Sequence, residues 1–308
     1  MTTIHSPEAA YEYLLDDSRE IALFISTTAL LHWDQRTGIP PKGHGHRTEQ
    51  LACLSKLIHA RQTAPERGEA LALAESAPPG DPSALANLRE WRRMFDRTSS
   101  IPQDLAVALA RETAESETVW ESARPENDWN SFRPRLERVI SLRREEAEAV
   151  GYAREPYDAL LDEYEPGETA GDISPLFDTL KPGLVALLDR IRGSESPPDD
   201  SLLERDFDVA GQEQLSRLVI ERLGFDFSSG RLDVTAHPFS TTIGPGDSRI
   251  TTRFSPDNFG DAFFSSVHEA GHALYEIGLP AEHWGYPRGE AASMGIHESQ
   301  SRFWENMV

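Results

Sequence analysis

Up to about residue 222, apolar positions recur at steps of three and four, and short stretches rich in proline and glycine separate them. That spacing puts one apolar face on each segment and predicts a scaffold of amphipathic helices. Ser131 to Val150 is typical: Phe132, Leu136, Val139, Ile140 and Leu142 form an apolar side, while arginine and glutamate fill the rest. The breakers I-P-P-K-G-H-G at 39 to 45, A-P-P-G-D-P at 77 to 82 and S-E-S-P-P-D-D at 194 to 200 read as loops between helices. No repeat stands out along this stretch, and the acidic run near 195 reads as a solvated loop.

The period changes after Gly230. L-D-V-T-A-H-P-F and S-R-I-T-T-R-F, rich in β-branched and aromatic residues, flank G-P-G-D at 244 to 247, which predicts a β-hairpin. A helix of about five turns then follows, with Ser255-Pro256 as N-cap and first residue and Gly278 with Pro280 as the stop. Phe259, Phe263, Val267, Ala270, Leu274 and Ile277 recur at helical steps and predict one buried stripe. The expected architecture is mainly α in a single region, 1–308. Residues 1–222 are its helical scaffold, and 223–308 hold a small hairpin and the helices that carry the chemistry.

Composition narrows the function. The 308 residues are 38% hydrophobic and 27% charged, a globular balance with no apolar run long enough to cross a bilayer. The first residues, M-T-T-I-H-S-P-E, lack the basic and apolar regions of a signal peptide, so a cytoplasmic location is expected. A net charge of −22 argues against nucleic acid and against anionic membrane surfaces as partners. Lys42, Lys56 and Lys181 are the only lysines among 30 basic residues. So many carboxylates with so little lysine point to adaptation to a salt-rich, halophilic cytoplasm, where screening relieves self-repulsion. An arginine-favouring genome gives the same bias. Cys53 is the single cysteine; it cannot form an internal disulfide and is expected as a buried thiol.

The candidate chemistry lies in V-H-E-A-G-H-A at 267 to 273. His268 and His272 are four apart, so on a helix they project together and can grip one ion such as Zn²⁺. Glu269 lies about 100° further round, where it can take a proton from water held by the ion and act as general base. A third ligand is needed. The extended pattern with a later glycine and histidine fails, because Tyr275 and Gly278 hold those places. G-I-H-E-S-Q at 295 to 300 offers Glu298 on a following helix, which the loop through Pro280, Gly285 and Pro287 can fold back antiparallel. His268, His272 and Glu298 then form a His₂Glu zinc site.

Several ordered blocks resemble the M32 metallocarboxypeptidases: H-P-F at 237 to 239, D-S-R-I-T at 247 to 251, H-E-A-G-H at 268 to 272 and H-E-S-Q at 297 to 300. W-D-Q at 33 to 35 and Y-D-A-L-L-D-E-Y-E-P-G at 157 to 167 also look like family segments, so the resemblance spans the chain. It implies an elongated multi-helix peptidase fold with a deep substrate groove, zinc or cobalt at His268, His272 and Glu298, and Glu269 as the base. It further implies release of C-terminal residues from peptides with broad specificity, commonly by a homodimer. His237 could bind substrate or precede a structural turn. Asp247 and Arg249, on one strand face, could support the ligands or form an ordinary ion pair. Gln300 could reach ligands or substrate, although helix geometry turns it away from Glu298. His297 is expected as a packed neighbour, and Trp33 with Asp34 as helix packing.

Members of the family continue in a long helical segment beyond W-E-N-M-V, the last residues here. By resemblance, that C-terminal helical half carries the arginine that receives the substrate's terminal carboxylate. The expectation is a carboxypeptidase, with three alternatives: a half-enzyme completed by a separate chain, a non-catalytic metal-binding remnant, and a metalloendopeptidase with an open cleft.

Overall fold

The computed structural model describes residues 5–197, 199, 201, 203 and 205–308. Residues 1–4 of the expected leaderless start lie outside the described residues, as do 198 and 200 of the acidic loop. Helix makes up 71% of the structure, as the apolar periodicity predicts. Among the described residues nine α-helices precede the strands: α1 (Pro7–Thr37), α2 (His44–Gln62), α3 (Pro65–Ser76), α4 (Pro82–Ser100), α5 (Gln103–Ala123), α6 (Trp129–Val150), α7 (Pro156–Tyr164), α8 (Ala170–Arg192) and α9 (Val209–Arg222). Four of them, α1, α3, α4 and α7, begin on proline, whose fixed φ suits a first helical residue and whose missing N–H costs nothing there. No helix is long and apolar enough to cross a membrane among the described residues.

Three strands follow: β1 (Gly230–Val234), β2 (Ser240–Gly244) and β3 (Asp247–Thr252), in the order β1-β3-β2. The hairpin exists, but its arms differ from the expected ones. β2 pairs antiparallel with β3 through a turn where Gly246 takes φ +81°, while the L-D-V run forms β1 and pairs parallel with β3. Pro238 has no N–H for a ladder, so the chain between β1 and β2 leaves the sheet and crosses to its far edge.

The motif helix is α10 (Phe259–Ile277), stopped by Gly278 as expected, and α11 (Met294–Met307) follows. The start of α10 corrects the sequence reading. Its N-cap is Asn258, whose side chain accepts from Asp261 N at 3.0 Å, while Ser255 spends its hydroxyl on Asp257. The buried face is corrected as well. Val267 and Ala270 are buried, but Phe259, Phe263 and Leu274 are half-buried and Ile277 is exposed; the small residues Ala262, Ser266, Gly271 and Ala273 are buried instead. Neighbouring elements approach closely enough that small side chains, not large ones, occupy the contact.

Two cores fix these elements. Ala10 and Leu14 of α1, Leu71 of α3 and Leu88 and Trp91 of α4 pack with Tyr286, which lies in the connector between α10 and α11. Ile220 of α9, Leu232 of β1 and Ile250 of β3 pack with Phe225, Ala270 and Ala273, so α10 rests on the sheet. Thr252 of β3, fully buried, donates from its hydroxyl to Ala262 O at 3.1 Å and ties sheet to helix. Cys53 is exposed, contrary to expectation, because Leu51 and Ala52 take the inward positions of that turn of α2.

Candidate metal centre

α11 runs back along α10: His268 faces Glu305, and eight residues further along α10 Glu276 faces His297. Antiparallel packing follows from that reversed order, and it carries Glu298 to the histidine pair. His272 Nε2 lies 3.3 Å and His268 Nε2 3.8 Å from Glu298 Oε2, and one ligand atom from each residue falls within 4.8 Å of the other two. The edge of a tetrahedron with bonds of about 2 Å is about 3.3 Å, so the set needs little closure to hold an ion. The other nitrogen of each ring is engaged elsewhere. His268 Nδ1 is 3.0 Å from Glu305 Oε2, and His272 Nδ1 is 2.6 Å from His297 Nδ1, which leaves both Nε2 atoms for ligation. Two nitrogens and one carboxylate oxygen fit a divalent cation of the zinc kind.

The electrostatics agree with this use. Burial, helped by the other two imidazoles, lowers the His272 pKa to about 4, so it stays neutral and keeps a lone pair to give. Glu269 is buried beside the ligands, and burial followed by the charge of Glu298 pushes it up to about 8. Ligation of Glu298 by a cation removes that second cause and favours the proton-accepting form.

The remaining expected residues are not gathered here. His237 is exposed and stands edge-on to Trp120, with ring centres 6.1 Å apart. Asp247 and Arg249 form a two-pronged ion pair at 2.8 Å for both bonds, and the Arg249 guanidinium lies 4.3 Å over the Trp33 ring. Gln300 is half-buried, its amide 3.4 Å from Ser299 Oγ. Four contributors went unread: Glu305, Glu276, Glu165 and Gly271. Glu305 is seven residues after Glu298 and Glu276 four after His272, spacings that put each on its ligand's face. Glu165, in the Y-E-P-G block, accepts from Gly295 N at 2.9 Å in the first turn of α11. A groove of about 810 Å³ lined by Arg93, Arg97, Tyr164, Glu290, Met294 and His297 opens on the His297 side.

A water-accessible pair of histidines one turn apart, a buried glutamate between them and a carboxylate from an antiparallel helix define a centre of the metallopeptidase class. The chain belongs to the M32 family of metallopeptidases: the family model described as Carboxypeptidase Taq (M32) metallopeptidase matches residues 13–308. It is 51% identical over 316 residues to thermostable carboxypeptidase 1 of Thermus thermophilus, covering 98% of this chain and 62% of that protein. Carboxypeptidase 1 of Bacillus subtilis is 36% identical over 306 residues, with 99% of this chain and 60% of the relative covered. The crystal structure of the M32 carboxypeptidase from Deinococcus radiodurans superposes with a TM-score of 0.85 at 36% identity, over 97% of this chain and 60% of that one. The chain thus spans about 60% of the length of the relatives it matches.

Proposed function

We propose that this chain is the metal-binding region of a carboxypeptidase that releases C-terminal residues from peptides with broad specificity. The observation that carries the reading is the meeting of His268, His272 and Glu298 with Glu269 buried beside them. Zinc, or cobalt in its place, would sit on these three ligands and supply Lewis acidity to a peptide carbonyl and to water. Glu269 takes the proton from water as it attacks and hands it to the leaving amine, so no covalent intermediate forms with the protein. Its buried setting excludes bulk solvent and strengthens that exchange.

A second reading concerns completeness. Along α8, Leu176, Phe177, Leu180, Leu184, Leu188 and Ile191 are each about half exposed or more, from 48% to 63%. A stripe of that size on a water-facing helix marks a contact surface. It supports a working enzyme in which this region is joined by the remaining M32 length, in the same or a second polypeptide, with homodimers formed from that whole.

The test is metal content and C-terminal trimming of a free peptide by the purified chain, beside Glu269→Gln. Bound metal with trimming that the substitution abolishes establishes a carboxypeptidase within these residues. Bound metal without trimming supports the incomplete enzyme or a remnant. Internal cleavage of end-blocked peptides replaces the reading with an endopeptidase, and absence of metal refutes it.

A further inference from the structure

His272 and His297 meet through their Nδ1 atoms at 2.6 Å, with ring centres 4.6 Å apart and ring planes inclined by 30°. Because the nitrogens are so much closer than the ring centres, the rings touch edge to edge, as a hydrogen bond requires and a face-to-face stack does not. The far edge of His297 is engaged too: its Nε2 lies 2.8 Å from Glu276 Oε1. Tyr275 stands edge-on to the same ring at 5.3 Å and limits its rotation. Glu276 is one helical turn beyond His272, so α10 supplies both ends of this chain of contacts and α11 inserts the middle.

Proton bookkeeping gives the chain a direction. A carboxylate only accepts, so the neutral His297 carries its proton on Nε2 and donates to Glu276. Its Nδ1 is then bare and accepts from His272, whose proton must sit on Nδ1. That leaves the His272 Nε2 lone pair aimed at Glu298, 3.3 Å away. The opposite tautomer of His272 would point a hydrogen into the ligand cluster. We infer that Glu276 and His297 are positioning residues that fix His272 in its ligating tautomer, a carboxylate–histidine–histidine relay toward the metal. The inference rests on the metal-centre reading above. His268 has the shorter version of the same device, since Glu305 accepts from its Nδ1 directly at 3.0 Å. His297 also precedes Glu298, so one dipeptide of α11 supplies the third ligand and orients the second.

The experiment uses the full 308-residue chain labelled with ¹⁵N-histidine and titrated with Zn²⁺ alone. Two-bond proton–nitrogen spectra report the tautomers, and competition with a chromophoric chelator reports affinity. The expected spectrum of the zinc-loaded parent has His297 protonated on Nε2 and His272 on Nδ1. Glu276→Leu removes the acceptor and weakens zinc binding about ten-fold, with helix content unchanged. Glu276→Gln keeps an acceptor oxygen, and it restores the Nε2–H tautomer of His297 and part of the affinity. A purely structural role would leave the tautomer alone. His297 protonated on Nδ1 in the zinc-loaded parent overturns the relay, and so does a Glu276→Leu affinity within about two-fold of the parent; both leave the metal centre standing. A parent that takes up no zinc defeats the centre itself and the relay with it. The parent spectra decide even if the leucine variant fails to fold.

Discussion

Gly271, the second x of the H-E-x-x-H pattern, is where α10 and α11 touch. A Cβ there would lie 2.6 Å from Ser301 Cα, 2.8 Å from Gln300 O and 3.1 Å from Ser301 N, all backbone atoms that no rotamer change can move aside. Carbon atoms rest at about 3.5–4.0 Å, so Gly271→Ala must push the helices apart by about 1 Å. In an open helix the same change would stabilise by about 0.5–1 kcal/mol, because alanine is the better helix former. Overpacking costs about 1–3 kcal/mol, so the clash wins and the net effect is destabilising. The displaced stretch of α11 begins at Gln300, two residues after Glu298, whose Oε2 lies only 3.3 Å and 3.8 Å from the two histidine nitrogens. The cluster therefore opens along with the helices. The assay compares zinc affinity by chelator competition and thermal unfolding of the metal-free chain, with Gly260→Ala as control. At Gly260, in the first turn of the same helix, a Cβ meets nothing nearer than 3.8 Å. Expected are a loss of about ten-fold or more in zinc affinity and a lower melting temperature for Gly271→Ala, and neither for the control. Zinc affinity of the Gly271 variant within about two-fold of the parent would refute the argument that helix spacing sets the ligand geometry.

Two further outcomes follow from the packing. Tyr286→Ala, which removes a buried ring set edge-on against Trp91 at 6.3 Å, should cost about 3–5 kcal/mol and weaken zinc binding by freeing the connector to α11, as read by thermal unfolding and chelator competition. His32 is held at about 4 by burial first and then by Arg36 and Arg47. Its folded pKa lies below its unfolded value of 6.5, so the unfolded chain binds the extra proton, and stability falls as pH drops from about 6.5 towards 4. At pH 5 the loss is about 2 kcal/mol. His32→Gln should remove that part of the slope between pH 7.5 and 5, and identical slopes for parent and variant would count against it.

Periodicity made the helices and the histidine pair of the candidate site legible, because those depend on residues near one another in sequence. The antiparallel return of α11 was also readable, since Pro280, Gly285 and Pro287 leave few other paths for Glu298. What was not legible depends on contacts between distant segments. The parallel pairing of β1 with β3 hides behind a run that reads equally well as a hairpin arm. The buried face of α10 was misread through its phenylalanines: size marks hydrophobicity, but closeness of approach decides which side chains can occupy a contact. His297 looked like packing because its two partners, His272 and Glu276, lie 25 and 21 residues away on another helix. Asp247 and Arg249 pair within one strand, as their spacing allows, whereas the contact of Arg249 with Trp33 joins distant segments and could not be read from spacing.

The ligands are unequal in what holds them. His268 and His272 share one rigid helix seated on the sheet, so the spacing of their backbones is set by α10, while His297 and Glu305 of α11 hold their rings. Glu298 arrives on α11, whose position is fixed from three sides: the close contact at Gly271, the Glu165 carboxylate on Gly295 N, and the Tyr286 anchor in the connector. Glu165 follows α7, and Tyr286 is seated on α1, α3 and α4, so the helical scaffold of residues 1–222 sets the third ligand while the motif helix sets the first two. Damage to the scaffold should therefore be felt as a loosened carboxylate and as loosened ring contacts to His297 and Glu305, with the one-turn spacing of the histidine pair kept. A bidentate histidine site retains weak affinity for zinc-type cations without a carboxylate. Scaffold variants are thus expected to keep some metal while losing the geometry that places Glu269 against water, which separates metal content from catalysis in a way that ligand substitutions do not.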